Sequence, residues 1–273
     1  MDRIFVARVN VRSKPSSEYR THPFSKMKND PLEHKAAFQL LASAFGDESE
    51  ILTGDDESIY KTDLDDETRT SIKQLNGKRL MFRQVSQDLA IAIDGADQWV
   101  GMATSLAPEI AACEVERLLR AITEDAGSMG DVEIYVDLAA NPDDVYRNLT
   151  RLQKAGLSEL ALTVRRPNPG RAGDLSRILN ELTVKHQAKI TKIQFENDEG
   201  GLHFQSDESR DLSRKAGSGE VFLSGRSGDG SDWKSAEHPA ELPVPFEITP
   251  DRVKLALITA LAAWLKLWNW WWK

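Results

Sequence analysis

Arg165-Arg166-Pro167-Asn168-Pro169-Gly170-Arg171 is the densest set of groups in the chain able to hold an anion. A guanidinium presents a planar fork of N–H donors that matches a phosphate or carboxylate edge to edge. The run sits between a strand pattern ending near Val164 and a helix pattern beginning after Asp174. Ligands of open α/β sheets gather at such strand ends, and helix amino termini favour anions. Arg165, Arg166, Asn168 and Arg171 are therefore the expected anion-binding residues, for a nucleotide or another phosphate-bearing ligand. The competing reading is a Pro-Asn-Pro-Gly turn flanked by solvated arginines.

Other reactive side chains do not assemble into a motif. His22, His34, His186, His203 and His238 are scattered, with no His-x-x-x-His pair. No serine stands in a Gly-x-Ser-x-Gly elbow, and no glycine run ends in the Lys-Ser/Thr of a nucleotide-triphosphate loop. Residues 47–67 hold ten acidic side chains against Lys61 alone. They lack the spaced oxygen ligands and central glycine of a calcium loop, so a solvated loop is expected. Cys113, the single cysteine, permits no internal disulfide and suits a reducing compartment. It falls at an apolar helix position and reads as a small core residue. No catalytic residue, metal ligand or cofactor is expected.

The carboxyl terminus is the other unusual segment. Five of the seven tryptophans lie between Trp264 and Trp272. As a helix, Val253 to Trp272 would be about 30 Å long at ~1.5 Å per residue. Lys254, Thr259, Lys266, Asn269 and Lys273 gather in an arc of roughly 140° on that helix. Leu257, Leu261, Trp264, Leu267, Trp268 and Trp271 occupy the opposite side, and Trp270, Trp271 and Trp272 spread around the circumference. Indole concentrates where headgroups meet acyl chains, and lysines on a narrow polar arc complete the pattern of an interfacial helix. The uncharged apolar stretch from Leu255 to Leu265 is only eleven residues, short for a membrane span. Packing on a second copy, on another protein or on the chain's own body are the alternatives.

The elements that would carry these residues follow from periodicity. Residues 3–12 alternate as a half-buried strand, with Phe5, Ala7, Val9 and Val11 inward and Arg8, Asn10 and Arg12 outward. Pro31 to Phe45 reads as a helix stopped by Gly46. Leu80 to Val85 and Leu89 to Ile93 read as strands joined by Ser86-Gln87-Asp88. Pro108 to Ala126 is a helix with Ile110, Cys113, Val115, Leu118, Leu119 and Ile122 at apolar spacing. Val132 to Leu138 is a strand, followed by a helix capped by Asn141, opened by Pro142 and closed at Gly156. Leu160 to Val164 is a strand, a helix runs from the Asp174 cap to about His186, and Ile190 to Phe195 is a strand. A βαβαβ unit with locally parallel strands is thus expected over residues 131–195. Short strands around Gly225 to Gly230 form a hairpin, and Pro239, Pro243, Pro245 and Pro250 stiffen an extended connection.

The fold class expected is α/β, or α+β, with a carboxyl-terminal amphipathic helix. A soluble body is expected over residues 1–246, divisible at 100/101, with a linker and helix over 247–273. The tail carries Arg252, Lys254, Lys266 and Lys273 and no acid, so a net charge of −8 leaves −12 on the first 251 residues. Such a body is repelled by nucleic acid and by anionic headgroups, whereas the tail is attracted. The layout, a regulatory body joined to a short membrane-active segment, resembles some effectors of bacterial antiviral and toxin systems. The expected role is non-enzymatic: a cytoplasmic protein at the inner face of a membrane, engaging or perturbing it through the tail. A homo-oligomer or partner-binding protein docked through the same helix is the alternative, and a nucleotide- or phosphate-binding protein or enzyme using Arg165 to Arg171 is the second.

Overall fold

A computed structural model describes residues 1–13, 41–42, 45–46, 49–52, 64–73, 75, 78, 80–94, 98–125, 132–165, 190–197, 201–219 and 221–271. The chain is mixed α/β and divides into two compact units. One comprises residues 1–28, 32–138 and 241–273; the other comprises residues 29–31 and 139–240.

The first unit is built on six antiparallel strands: β1 (Arg3–Ser13), β2 (Glu50–Leu52), β3 (Leu80–Ser86), β4 (Leu89–Asp94), β5 (Trp99–Thr104) and β6 (Val132–Leu138), in the order β2-β3-β4-β5-β1-β6. Strands β3 and β4 form a hairpin across the short polar turn Ser86-Gln87-Asp88, with Phe82 opposite Ala92. One face of the sheet presents Phe5, Ala7, Val9, Val11, Ile91, Val100 and Met102. Against it lies α2 (Pro108–Asp125), contributing Ala111, Ala112, Val115 and Leu119. The opposite face carries α5 (Val253–Trp271), which also packs on α1 (Asp66–Lys73).

That second covering layer overturns the half-buried reading of β1. Every residue from Ile4 to Val11 is buried, Arg8 and Asn10 included. Both faces of β1 lie under helices, as central strands of covered sheets do. The connection before α5 is not a free linker: the Leu242 amide donates to the Ile4 carbonyl at 2.8 Å, and Glu241 bridges to Phe5. The prolines stiffen a segment that is itself stitched to β1.

Cys113 is exposed rather than in the core, and Ile110 beside it is 54% exposed. The buried stripe of α2 runs through Ala111, Ala112, Val115 and Leu119, leaving Ile110 and Cys113 on the outward side. Folded protein will therefore react with about one equivalent of a water-soluble thiol reagent without denaturant. A thiol silent until denaturant is added would contradict this placement.

The second unit holds a four-stranded antiparallel sheet, order β10-β9-β7-β8, from β7 (Leu157–Arg165), β8 (Ile190–Glu196), β9 (Val221–Ser227) and β10 (Asp232–Lys234). Helix α3 (Pro142–Lys154) forms as its local signals require. Asn141 Oδ1 accepts from the Asp143 amide at 3.0 Å, Pro142 opens the first turn, and Gly156 follows the last with φ +79°. Such a φ suits glycine, which has no Cβ to clash. Helix α4 (Ser206–Gly217) had no clear periodic signature, because its buried side combines Leu212 and Ala216 with Ser209, Ser213 and Gly217. It is opened instead by a capping box between Gln205 and Glu208. Helices α3 and α4 pack together, and their Val145, Leu149, Leu152 and Leu212 join Leu160, Leu162, Leu223 and Trp233 in one core.

The parallel βαβαβ expectation fails on strand direction. β6 belongs to the six-stranded sheet, where it runs antiparallel to β1, and β7 pairs antiparallel with β8, Leu160 opposite Phe195. A long connection permits a parallel crossover but does not require one. The helix expected from Asp174 to His186 and most of that from Pro31 to Phe45 lie outside the described residues.

Candidate functional site on the carboxyl-terminal helix

Helix α5 begins after Asp251, whose carboxyl is held below the usual carboxylate range, chiefly by the Thr249 hydroxyl. A carboxylate just ahead of the first turn suits the positive end of the helix dipole. From there the sequence has no glycine, proline or acid until its end, and alternates leucine and alanine with tryptophan. Thirteen of the nineteen residues are buried, so the helix is apolar around most of its circumference. A helix of that kind belongs inside a protein core or in lipid.

Here the side expected to meet lipid is taken up by the chain's own sheet. Leu257 and Leu261 lie over Gly101, where an added Cβ would come within 3.1 Å of Leu261 Cγ and 3.3 Å of Leu257 Cδ2. Trp264, with 0% exposure, and Trp268 pack edge-to-face on Trp99, at centroid distances of 5.3 and 5.2 Å. Trp271 is also buried. The indole N–H of Trp264 has no hydrogen-bond partner among the described residues. Lys254 pairs with Glu50 and lies 5.3 Å from the Phe82 ring centroid. Gly101→Val is expected to destabilise the fold by ~1–3 kcal/mol through overpacking. Urea denaturation followed by tryptophan emission would measure it, and an unchanged midpoint would show that α5 has room to shift.

Beneath the tryptophan end of α5 lies a polar row that periodicity alone did not single out. Trp99 and Asp137 stand directly opposite Arg8 on its two neighbouring strands, so the three share a sheet face. The Arg8 guanidinium carbon lies 5.8 Å from the Trp99 ring centroid. Asn10, two residues along on the same face, donates from Nδ2 to Asp137 Oδ2 at 3.0 Å. Arg8, Asn10 and Asp137 are all buried. Nearby on β4, fully buried Asp94 accepts from Lys78 Nζ at 2.7 Å. The signal for this row was present in Ile4 and Val6, apolar residues on the side of β1 read as outward.

What α5 leaves open is narrow. Ala263, Lys266, Asn269 and Trp270 are exposed and Leu267 is half-buried. Trp270, at 65%, is the most exposed large hydrophobic residue among those described. Trp272 and Lys273 lie outside the described residues, as do Arg166, Asn168, Arg171 and the side chain of Arg165, whose backbone ends β7. The anion-binding expectation therefore has no described geometry.

Two further places were open to chemistry. At the glycine-rich tip of the β9–β10 hairpin, Asp229 accepts from the Ser227 hydroxyl and from the Ser231 amide and hydroxyl, which lowers its pKa to about 2. All three bonds converge on Oδ1 and hold the turn. A carboxylate with so low a pKa is a poor base for the serine hydroxyls beside it. A cavity of about 280 Å³ is lined by Met1, Gln84, Gln87, Ile248, Thr249, Pro250 and Val253, and contains no charged side chain.

No known family model matches this chain, and no curated protein is significantly similar to it. Among the described residues no helix is long and apolar enough to cross a membrane.

Proposed function

We propose that the protein is a non-enzymatic interaction protein whose docking element is the outward stripe of α5, and that it docks on protein. The observation that carries this is Trp270, 65% exposed beside Lys266 and Leu267, on a helix whose other indoles are committed inward. Ala263, Lys266, Leu267 and Trp270 recur at the i, i+3, i+4, i+7 spacing by which helices engage another protein surface. Exposed tryptophan is also the residue type that most often dominates such contacts.

A lipid surface is less well served by this stripe. Interfacial binding grows with the apolar area inserted, and Leu257, Leu261, Trp264, Trp268 and Trp271 are already engaged. An effector role of the kind the layout suggests would then pass through protein contacts made at α5.

A photo-cross-linking residue at position 270, introduced in the cells that make the protein, tests the reading. A discrete protein adduct is expected there and none from the same residue at exposed Ile110. Adducts to lipid alone would replace protein docking with membrane docking. Equal and diffuse labelling at both positions would remove α5 as a docking element.

A further inference from the structure

We infer that residues 139–240 are a guest module let into a single strand of the six-stranded unit, its host, and that each folds without the other, whether or not α5 docks on protein. On the side of β1 away from β5, β6 runs antiparallel and brings Leu138 opposite Ala7. Glu241 lies opposite Phe5, also antiparallel, and the Leu242 amide donates to the Ile4 carbonyl. Phe5 is already paired with Met102 of β5, so Glu241 and Leu242 occupy the same side of β1 as β6. Residues 241–242 thus continue the line and direction of β6. Only the position opposite Val6 separates Leu138 from Glu241.

Side-chain alternation agrees, because successive residues of a strand take opposite faces. Asp137 shares the α5 face with Arg8, and Leu138 packs with the α2 face. Counting on across one position puts exposed Glu241 on the α2 side with Phe5, and buried Leu242 on the α5 side with Ile4. The guest, for its part, closes on itself where the chain leaves and re-enters the strand. The Ala240 amide donates to the Ala139 carbonyl at 2.7 Å, and Ala140 bridges to Pro239. Domains whose ends lie together are those that insertion tolerates. The cores are also separate in sequence: the guest cluster runs from Ala140 to Trp233, and that of the host's α2 face from Phe5 to Leu138. An unfolded guest leaves the host one long loop to close, a cost that grows only slowly with loop length. Helix α5 and its exposed Trp270 belong to the host, so a guest that binds a ligand, unfolds or is cut away leaves them in place.

Peptide-resolved hydrogen exchange on the full-length chain in mild urea tests the separation. Leu223→Ala, in the guest core, should speed exchange across β7, β9 and α3 by about tenfold or more and leave β1, β4 and β5 at the wild-type rate. Leu119→Ala, in the host core, should do the reverse. Shared acceleration in either variant would make the chain one cooperative body and overturn the inference. The split strand is tested by removing residues 140–240, so that Ala139 takes the position opposite Val6 and joins Glu241. This chain should unfold cooperatively in urea and keep the near-ultraviolet dichroism of packed Trp99. Removing residues 139–240 leaves nothing for that position and turns Leu242 to the wrong face, so the urea midpoint should be clearly lower. A one-residue join that does not fold, or two joins of equal stability, overturns the split strand.

Discussion

A chain ending at Arg252 is expected to lose the folded state of the unit built on the six-stranded sheet. The deletion removes Val253, Leu255, Leu257, Ile258, Leu261, Trp264, Leu265, Trp268 and Trp271, all buried. Each large apolar side chain contributes roughly 1.5–3 kcal/mol when fully buried, and a typical domain retains only about 5–15 kcal/mol of net stability. The loss exceeds that margin even after allowance for the entropy regained by the freed residues. It would also open to water a sheet face carrying Ile4, Val6, Trp99 and the buried Arg8, Asn10 and Asp137. The observable is the environment of Trp99: its emission should move to that of solvated indole, and its near-ultraviolet dichroism should vanish. A truncated chain with native Trp99 spectra and an unchanged melting midpoint would show α5 to be an appendage. Deletion of the tail therefore confounds docking with folding, and a surface variant at exposed Trp270 separates the two.

Trp264→Ala should cost about 3–5 kcal/mol, the range for truncating a large aromatic side chain in a packed core. Trp264 is fully enclosed, packs edge-to-face on Trp99 and stacks on Trp268 at 6.1 Å, so its removal leaves two indoles facing a void. Trp264→Phe is expected to cost much less. Phenylalanine keeps most of the ring contact and removes an indole N–H that lacks a partner among the described residues, and an orphan donor costs ~1–3 kcal/mol to bury. Chemical denaturation with unchanged m-values would establish both figures as changes in stability. Equal losses for the alanine and phenylalanine variants would mean that the N–H is satisfied by water in solution.

The contrast between the tail as sequence and as structure has a physical origin. Hydrophobic arc, lysine arc and clustered indoles describe a helix that must cover its apolar side, and that much is a property of the residues. Lipid, a partner and the chain's own sheet satisfy the same pattern. The sheet wins because Gly101 and the small residues Ala90, Ala92 and Ala103 leave its face flat enough for Leu257 and Leu261 to approach. Trp99, meanwhile, offers an aromatic platform for Trp264 and Trp268. These residues come from strands more than 150 positions earlier in the chain, beyond the reach of any periodicity rule. Cys113 shows the same limit at short range: a helical repeat identifies an apolar side, but a shift of one residue decides whether Ile110 or Ala111 faces inward.

Local chemistry alone determined the elements it can reach. Asn141, Pro142 and Gly156 bounded α3, turn residues placed the β3–β4 and β9–β10 hairpins, and alternation marked β1 as a strand. Capping bonds, turn dihedrals and pleat spacing act over a few residues, so the amino-acid order encodes them directly. Strand direction, the burial of Arg8, Asn10 and Asp137 under a second layer, and the small stripe that α5 leaves to the outside were decided only by tertiary structure. Those outcomes depend on which distant surfaces exclude water together, a competition settled by the whole folded unit.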